Sequence, residues 1–255
     1  MKTFKIILLA ICFILLSCNK EESKYQKLIK DKIECMGMER PSDSYNYPLY
    51  PGMPEWASLK TSQEMIDACK IPSELLQKKS TQAVIQAIWE YPFFEEIFIF
   101  YSNFSWDFVQ HDAYLELCNR KDAGISIFKR LKMYDMKWCD KCPLYPEPNA
   151  LEILMSQYQF LSQLSVSEKK ELIKKTLEKD EQHITSNYYR VTSWLLIGRI
   201  LLNANYQPFI NEVNCNNTLK KFVENYDYFI YYRDNTKELD KMAQIIKSYT
   251  INFLK

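Results

Sequence analysis

Apolar residues recur along most of this chain at spacings of three and four, the period of an α-helix with one buried face. Ser23 to Gly37 carries Tyr25, Leu28, Ile29, Ile33 and Met36 in that pattern, which predicts a first amphipathic helix. Pro41 to Pro54 holds four prolines and no period, so it reads as an extended loop that packs over the surface or acts as a stiff spacer. Thr61 with Glu64 forms a capping-box pattern ahead of Met65, Ile66 and Cys69, and Pro72 ends that helix. Thr81 is the expected cap of a helix bearing Val84, Ile85, Ile88 and Trp89, interrupted at Tyr91-Pro92; a further apolar stretch runs to Tyr101. Ser105 is read as the cap of a helix with Phe108, Tyr114, Leu115 and Cys118. Asp122 to Tyr134 forms the next, with Ile127, Phe128, Leu131 and Tyr134 inward.

A second Pro-rich break, Cys139 to Asn149, divides the chain into two helical halves. Asn149 is expected to cap a helix with Leu151, Leu154, Met155, Tyr158 and Leu161. Ser165 and Glu168 form a capping box for a helix with Leu172, Ile173 and Leu177 inward and a Lys/Glu-rich, wet outer face. Val191 to Asn203, apolar almost all round, reads as the most buried helix. Two more follow, Thr218 to Tyr232 and Thr236 to Leu254. No segment alternates like a strand, and no period of about 34 or 40 residues recurs. The expected fold is therefore all-α, an irregular array of antiparallel helix pairs. The expected organisation is a signal segment over 1–17, a tether with first helix and Pro-rich loop over 18–60, and one helical domain over 61–255 whose halves meet near 139–149.

The N-terminus differs from the rest. Lys2 and Lys5 precede Ile6 to Leu16, an apolar run of 11 residues, too short to span a bilayer as a helix but suited to the core of a signal peptide. The run closes in Leu15-Leu16-Ser17-Cys18, which resembles the bacterial lipobox. That resemblance implies cleavage before Cys18 and lipidation of its thiol, leaving 238 residues. One acyl chain binds a membrane marginally, whereas a multiply acylated Cys anchors stably. Lys20-Glu21-Glu22, just behind, resembles the export signal of Bacteroidetes surface lipoproteins. It implies an outer-membrane protein facing the cell exterior, with the periplasmic face as the alternative.

Composition narrows the functions. The net charge is +1, falling to about −1 when Lys2 and Lys5 leave, and no basic tract occurs, which argues against nucleic acid as a partner. Only 4 glycines occur in 255 residues, so phosphate-cradling loops have no sequence to form them, and a many-turned β fold is disfavoured. With 47% apolar residues the chain can build a large core.

The middle of the chain is similar to an uncharacterised family of exported bacterial helical proteins. The matching stretches are Tyr47-Pro48 with Pro51-Gly52, Glu55-Trp56, Ala68-Cys69-Lys70-Ile71-Pro72, Ser80-Thr81, Tyr91-Pro92, Arg120-Lys121-Asp122-Ala123, Leu161-Ser162-Gln163-Leu164 and Leu196 to Leu201. They cover about Tyr47 to Phe209. Residues 102–110 depart from the pattern, and the resemblance carries no activity and no catalytic residue.

Candidate chemistry is sparse. Cys139 and Cys142 form a CxxC that can be a redox dithiol, half of a metal site or a local disulfide. The preceding Trp138 resembles thioredoxin-like sites, but those lie at a strand-to-helix junction and this CxxC lies in a Pro-rich loop. A tetrahedral zinc site needs two further ligands, and the only histidines are His111 and His183. A structural disulfide is the favoured reading of Cys139 and Cys142, and no catalytic, cofactor-binding or metal residue is assigned. The six cysteines besides Cys18 in the mature chain are compatible with an oxidising compartment. Tyr91 to Phe108, with nine aromatics, and Tyr226 to Tyr232 read as helix core or as an aromatic platform for a glycan or protein. His111-Asp112 and Asp180 to His183 read as wet helix faces, or as acid–base groups of a hydrolase. Glu95-Glu96, adjacent on a helix, splay by about 100°, unsuited to a glycosidase pair.

Three functions remain: a lipid-anchored envelope lipoprotein that binds a glycan or protein, with the membrane as partner through its N-terminus; an envelope hydrolase using acids and a His; and a CxxC redox or metal protein.

Overall fold

The computed structural model describes Lys27 and residues 39–94, 111–133, 147–182, 187–225 and 229–255, with backbone alone at 147–148, 180–182, 187–189, 229–230 and 233. Among these the protein is all-α, with no strand. The expected helix over Ser23 to Gly37 and the stretches around Tyr101, Ser105 and Tyr134 lie outside them, apart from Lys27, which is helical.

The N-terminal part runs as an extended strap over residues 39–53 into α1 (Pro54–Ala57), α2 (Ser62–Ala68), α3 (Ser73–Gln77) and α4 (Thr81–Trp89). The expected capping box of α2 is present. Thr61 Oγ1 accepts from Glu64 N, and Glu64 reaches back to Thr61 N. Yet α2 buries none of its own residues, and Ile66, one of the apolar residues of its pattern, is 42% exposed. Its apolar residues are too few to form a stripe, and the burial falls on Cys69 just past its end. Ser80, not Thr81, caps α4 by accepting from Ala83 N, and the Thr81 hydroxyl instead donates to Asp122. The helix α5 (Asp112–Cys118) turns Tyr114 and Leu117 inward but leaves Leu115 half exposed.

The second part consists of α6 (Ala123–Met133), α7 (Glu147–Met155), α8 (Tyr158–Leu161), α9 (Val166–Gln182), α10 (Asn187–Asn203), α11 (Gln207–Cys215), α12 (Asn217–Glu224), α13 (Phe229–Asp234) and α14 (Thr236–Leu254). The capping box at Ser165 and Glu168 is formed. The single helix expected from Asn149 through Leu161 breaks into α7 and α8, because Gln157 adopts an extended backbone; Tyr158 is left 70% exposed. The one expected from Thr218 to Tyr232 ends at Glu224, and α13 starts at Phe229. The short helices α3 and α8 have too few residues to carry a readable period.

α10 is the hub. Positions 191–198 are all buried, and the helix packs against α7, α9, α11, α12, α13 and α14. Its end is a Schellman motif. Asn205 takes φ +53°, Tyr206 N donates to Leu201 O, and Asn205 N donates to Leu202 O. Arg199, the one residue of the central turns that reaches the rim, donates to Val223 O and Glu224 O and so closes the last turn of α12. The two halves share one hydrophobic core, which extends from Tyr47 in the strap to Ile246 in α14. Gly124 marks a close approach within it: a Cβ there would meet the Phe160 carbonyl oxygen at 2.2 Å. Gln163 fixes that approach by accepting from Gly124 N and donating to Arg120 O.

Candidate functional site

Cys18, Cys139, Cys142, His183, Glu95, Glu96 and the whole of the aromatic run after Phe94 lie outside the described residues. Among the cysteines that are described, Cys69, Cys118 and Cys215 are free thiols. Burial pushes the Cys69 thiol up to about 12, so it stays protonated and unreactive.

Two buried polar centres hold the described candidate chemistry. The first joins the strap to the body. The Tyr47 hydroxyl donates to Ala87 O at 2.8 Å and lies 2.9 Å from His111 Nε2. A hydroxyl has one proton, so when it goes to the carbonyl the imidazole must donate through Nε2–H. Nδ1 is then the bare nitrogen, buried and without a hydrogen-bond partner. The ring of Tyr91 meets the imidazole edge-on at 4.2 Å. His111 is 5% exposed, which overturns the expectation of a wet helix face. The sequence places it just before α5, and the Pro-rich strap covers it from a distance of more than 60 residues in the chain. Burial pushes its pKa down to about 3, so it is neutral at physiological pH. Its neighbour Asp112 is occupied by Ile71 N, 2.8 Å from Oδ2.

The second centre lies between α7, α9 and α10. Glu152 accepts from Lys179 and from the Thr192 hydroxyl, and Ser193 Oγ lies 3.3 Å from both carboxylate oxygens. Asn149 Oδ1 accepts from Lys179 Nζ at 3.0 Å, and Thr192 Oγ1, whose one proton goes to Glu152, lies 3.0 Å from it. The ammonium fixes the amide orientation, because a flipped Asn149 would turn its own NH₂ toward a cation. Nδ2, so oriented, makes no hydrogen bond. Every member is at most 5% exposed. Asn149 is thus a core residue within α7 rather than its cap, and Lys179 leaves the wet face of α9 to point inward. The signal in the sequence is Thr192-Ser193 inside an otherwise apolar helix, since polar residues there require partners. Chemically, the arrangement neutralises one buried carboxylate with one ammonium and fills the remaining lone pairs with hydroxyls.

At the strap's first turn Arg40 makes a two-point pair with Glu90, Nε to Oε1 at 2.6 Å and Nη2 to Oε2 at 2.8 Å, and Gln86 Nε2 donates to the same carboxylate. On the opposite part of the molecule a shallow polar groove of about 390 Å³ is lined by Asn216, Thr218, Glu238, Lys241 and Met242. Asn216 is already used there as the cap of α12 and Glu238 as the partner of Lys241. Among the described residues no group of three His, Cys, Asp or Glu is placed to hold a metal ion, and no helix is long and apolar enough to cross a membrane. Comparison with family models, curated proteins and solved structures finds no match for this chain.

Proposed function

We propose that the chain is a lipid-anchored envelope protein whose helical body serves as a binding module for a glycan or a protein, displayed on the outer face of the outer membrane. The observation that carries this reading is Leu15-Leu16-Ser17-Cys18 directly after a basic start and an 11-residue apolar run. The lipid on Cys18 supplies the membrane partner, and Lys20-Glu21-Glu22 supplies the outward address. The buried centres favour a scaffold over a hydrolase. His111, the described residue a hydrolase would depend on, is sealed under Tyr47 and Tyr91 and held neutral, and the Glu152 carboxylate is committed to Lys179 and two hydroxyls.

The test is Cys18→Ala in a bacterial host with lipoprotein processing. The parent should partition with membranes and carry an acyl mass on its first residue; the variant should lose both. A variant that keeps both overturns the anchor. Protease added to intact cells then separates display from the periplasmic face, and a screen of the chain against glycans and envelope proteins seeks the ligand.

A further inference from the structure

The strap is attached in an unusual way. Among the described residues, the backbone of 39–52 makes no hydrogen bond to the backbone of any helix; its only backbone bonds are local turns, Ser44 N to Pro41 O and Met53 N to Tyr50 O. Side chains hold it instead: Arg40 on Glu90, Asp43 on Ser80 N and Oγ, and Tyr47 on Ala87 O and His111. A segment whose described hydrogen bonds to the helices all run through side chains opens at a lower free energy than the helices it covers. Its Tyr47 and Tyr50 join the same apolar core as Trp56, Cys69, Ile88 and Tyr91.

We propose that Tyr47 and His111 form an acid-sensitive latch that holds the strap closed at neutral pH and releases it on acidification while the helical body stays folded. The geometry supplies the asymmetry. In the closed state a second imidazole proton would sit on Nδ1, which has no acceptor and no water-facing side. In the open state the ring is hydrated and accepts that proton freely. The groups facing the imidazole do not offset it. From the strap comes Tyr47, its hydroxyl pKa raised chiefly by burial and therefore neutral, with the rings of Tyr45 and Tyr50 against it, their hydroxyls raised in the same way. From the segment after α4 comes the Tyr91 ring, and the Cys69 thiol of the same core, just past α2, stays protonated. The adjacent Asp112 carboxylate is bonded to Ile71 N, and Glu90 is paired with Arg40. Burial as the sole cause of the downward shift at His111 agrees with this count. Opening bares the Tyr-rich core under the strap, so, if the chain is displayed as proposed above, the latch would couple acidity outside the cell to exposure of an aromatic surface.

Cys69 is a built-in reporter. It is 2% exposed and belongs to the same buried core as Tyr47 and Tyr50. The experiment labels the full chain with a pyridyl disulfide, which reacts with thiols in acid, and reads modification of Cys69 by peptide mass spectrometry. The rate is divided by that of the urea-unfolded chain at each pH. Between pH 6 and 4.5, above the range in which Asp43 titrates, the ratio should rise about twenty-fold in the parent and stay flat in His111→Gln. His111→Phe repeats the comparison if the Gln variant does not fold. Amide exchange of α10 is followed in the same samples and should not change. A flat ratio in the parent, an equal rise in the variants, or exchange in α10 rising in parallel with Cys69 would each overturn the latch.

Discussion

The Lys179 ammonium donates to the Glu152 carboxylate inside the helical body, with side-chain exposures of only 6% and 2%. A pair so placed stabilises little against an apolar pair of the same shape, but breaking it strands a charge in the core. Lys179→Met should therefore lower stability by about 3–5 kcal/mol. Adding Glu152→Leu to it should recover a large part of that loss, because the stranded carboxylate is gone. Urea unfolding of the two single variants and the double variant measures the coupling; simple additivity would show that the pair is not closed.

His111 gives the stability curve a defined pH dependence. Its folded pKa lies near 3 against 6.5 in the unfolded chain, so between these values the unfolded state binds more protons and stability falls with acid. The contribution is intact above about pH 6.5 and is lost progressively as pH falls towards 3. Between pH 7 and 5 the parent should lose about 2 kcal/mol more than His111→Gln in urea unfolding. Equal losses in the two proteins would mean that the imidazole is hydrated in the fold.

Among the described residues two glycines sit in helices, and the structure separates them. An Ala at Gly124 drives its Cβ against the backbone oxygen of Phe160, whereas at Gly198 the obstacle at 2.7 Å is a Val223 methyl, which can rotate away. The gain in helix propensity on replacing Gly, about 1 kcal/mol, is available to both. Gly124→Ala should cost about 2–3 kcal/mol net, and Gly198→Ala less than about 1 kcal/mol. Thermal melts of the two variants rank them directly; the reverse order would rule out the close approach of α6 to α8.

Changing Cys139 and Cys142 to Ser tests the third function. Closing so short a loop removes little entropy from the unfolded chain, and Pro143, Pro146 and Pro148 already restrict it. The double variant should keep its helical circular dichroism and lose at most about 2 kcal/mol of stability. A normally folded variant that loses a reductase activity or a stoichiometric metal shown by the parent would replace the structural reading of this motif.

Local chemistry was legible along the chain wherever a rule acts within one helical turn. Thr61 and Glu64 bond where the capping pattern places them, as do Ser165 and Glu168, and the long periodic segments became α6, α9, α10 and α14. Their amphipathic stripes are long enough for the 3.6-residue period to dominate any local preference. The helical class followed from those elements and from the scarcity of glycine turns. The proposed address at the N-terminus likewise rests on sequence alone, in Leu15-Leu16-Ser17-Cys18 and the apolar run before it.

Tertiary structure alone decided which polar residues lie inside. His111 looks like a wet helix start until a strap from far earlier in the chain covers it, and Lys179 follows a run of solvated lysines and glutamates until α7 presents Glu152 and Asn149 to it. Asn149 resembles a cap because Asn favours helix starts, yet the buried Lys179 ammonium opposite gives its amide oxygen a strong charged donor in the core. These placements depend on contacts 27–64 residues apart, where burial raises the energy of an unpaired group far above any local preference. Periodicity reports which face of a helix is apolar; only the packed neighbours determine which charges that face can take inside with it.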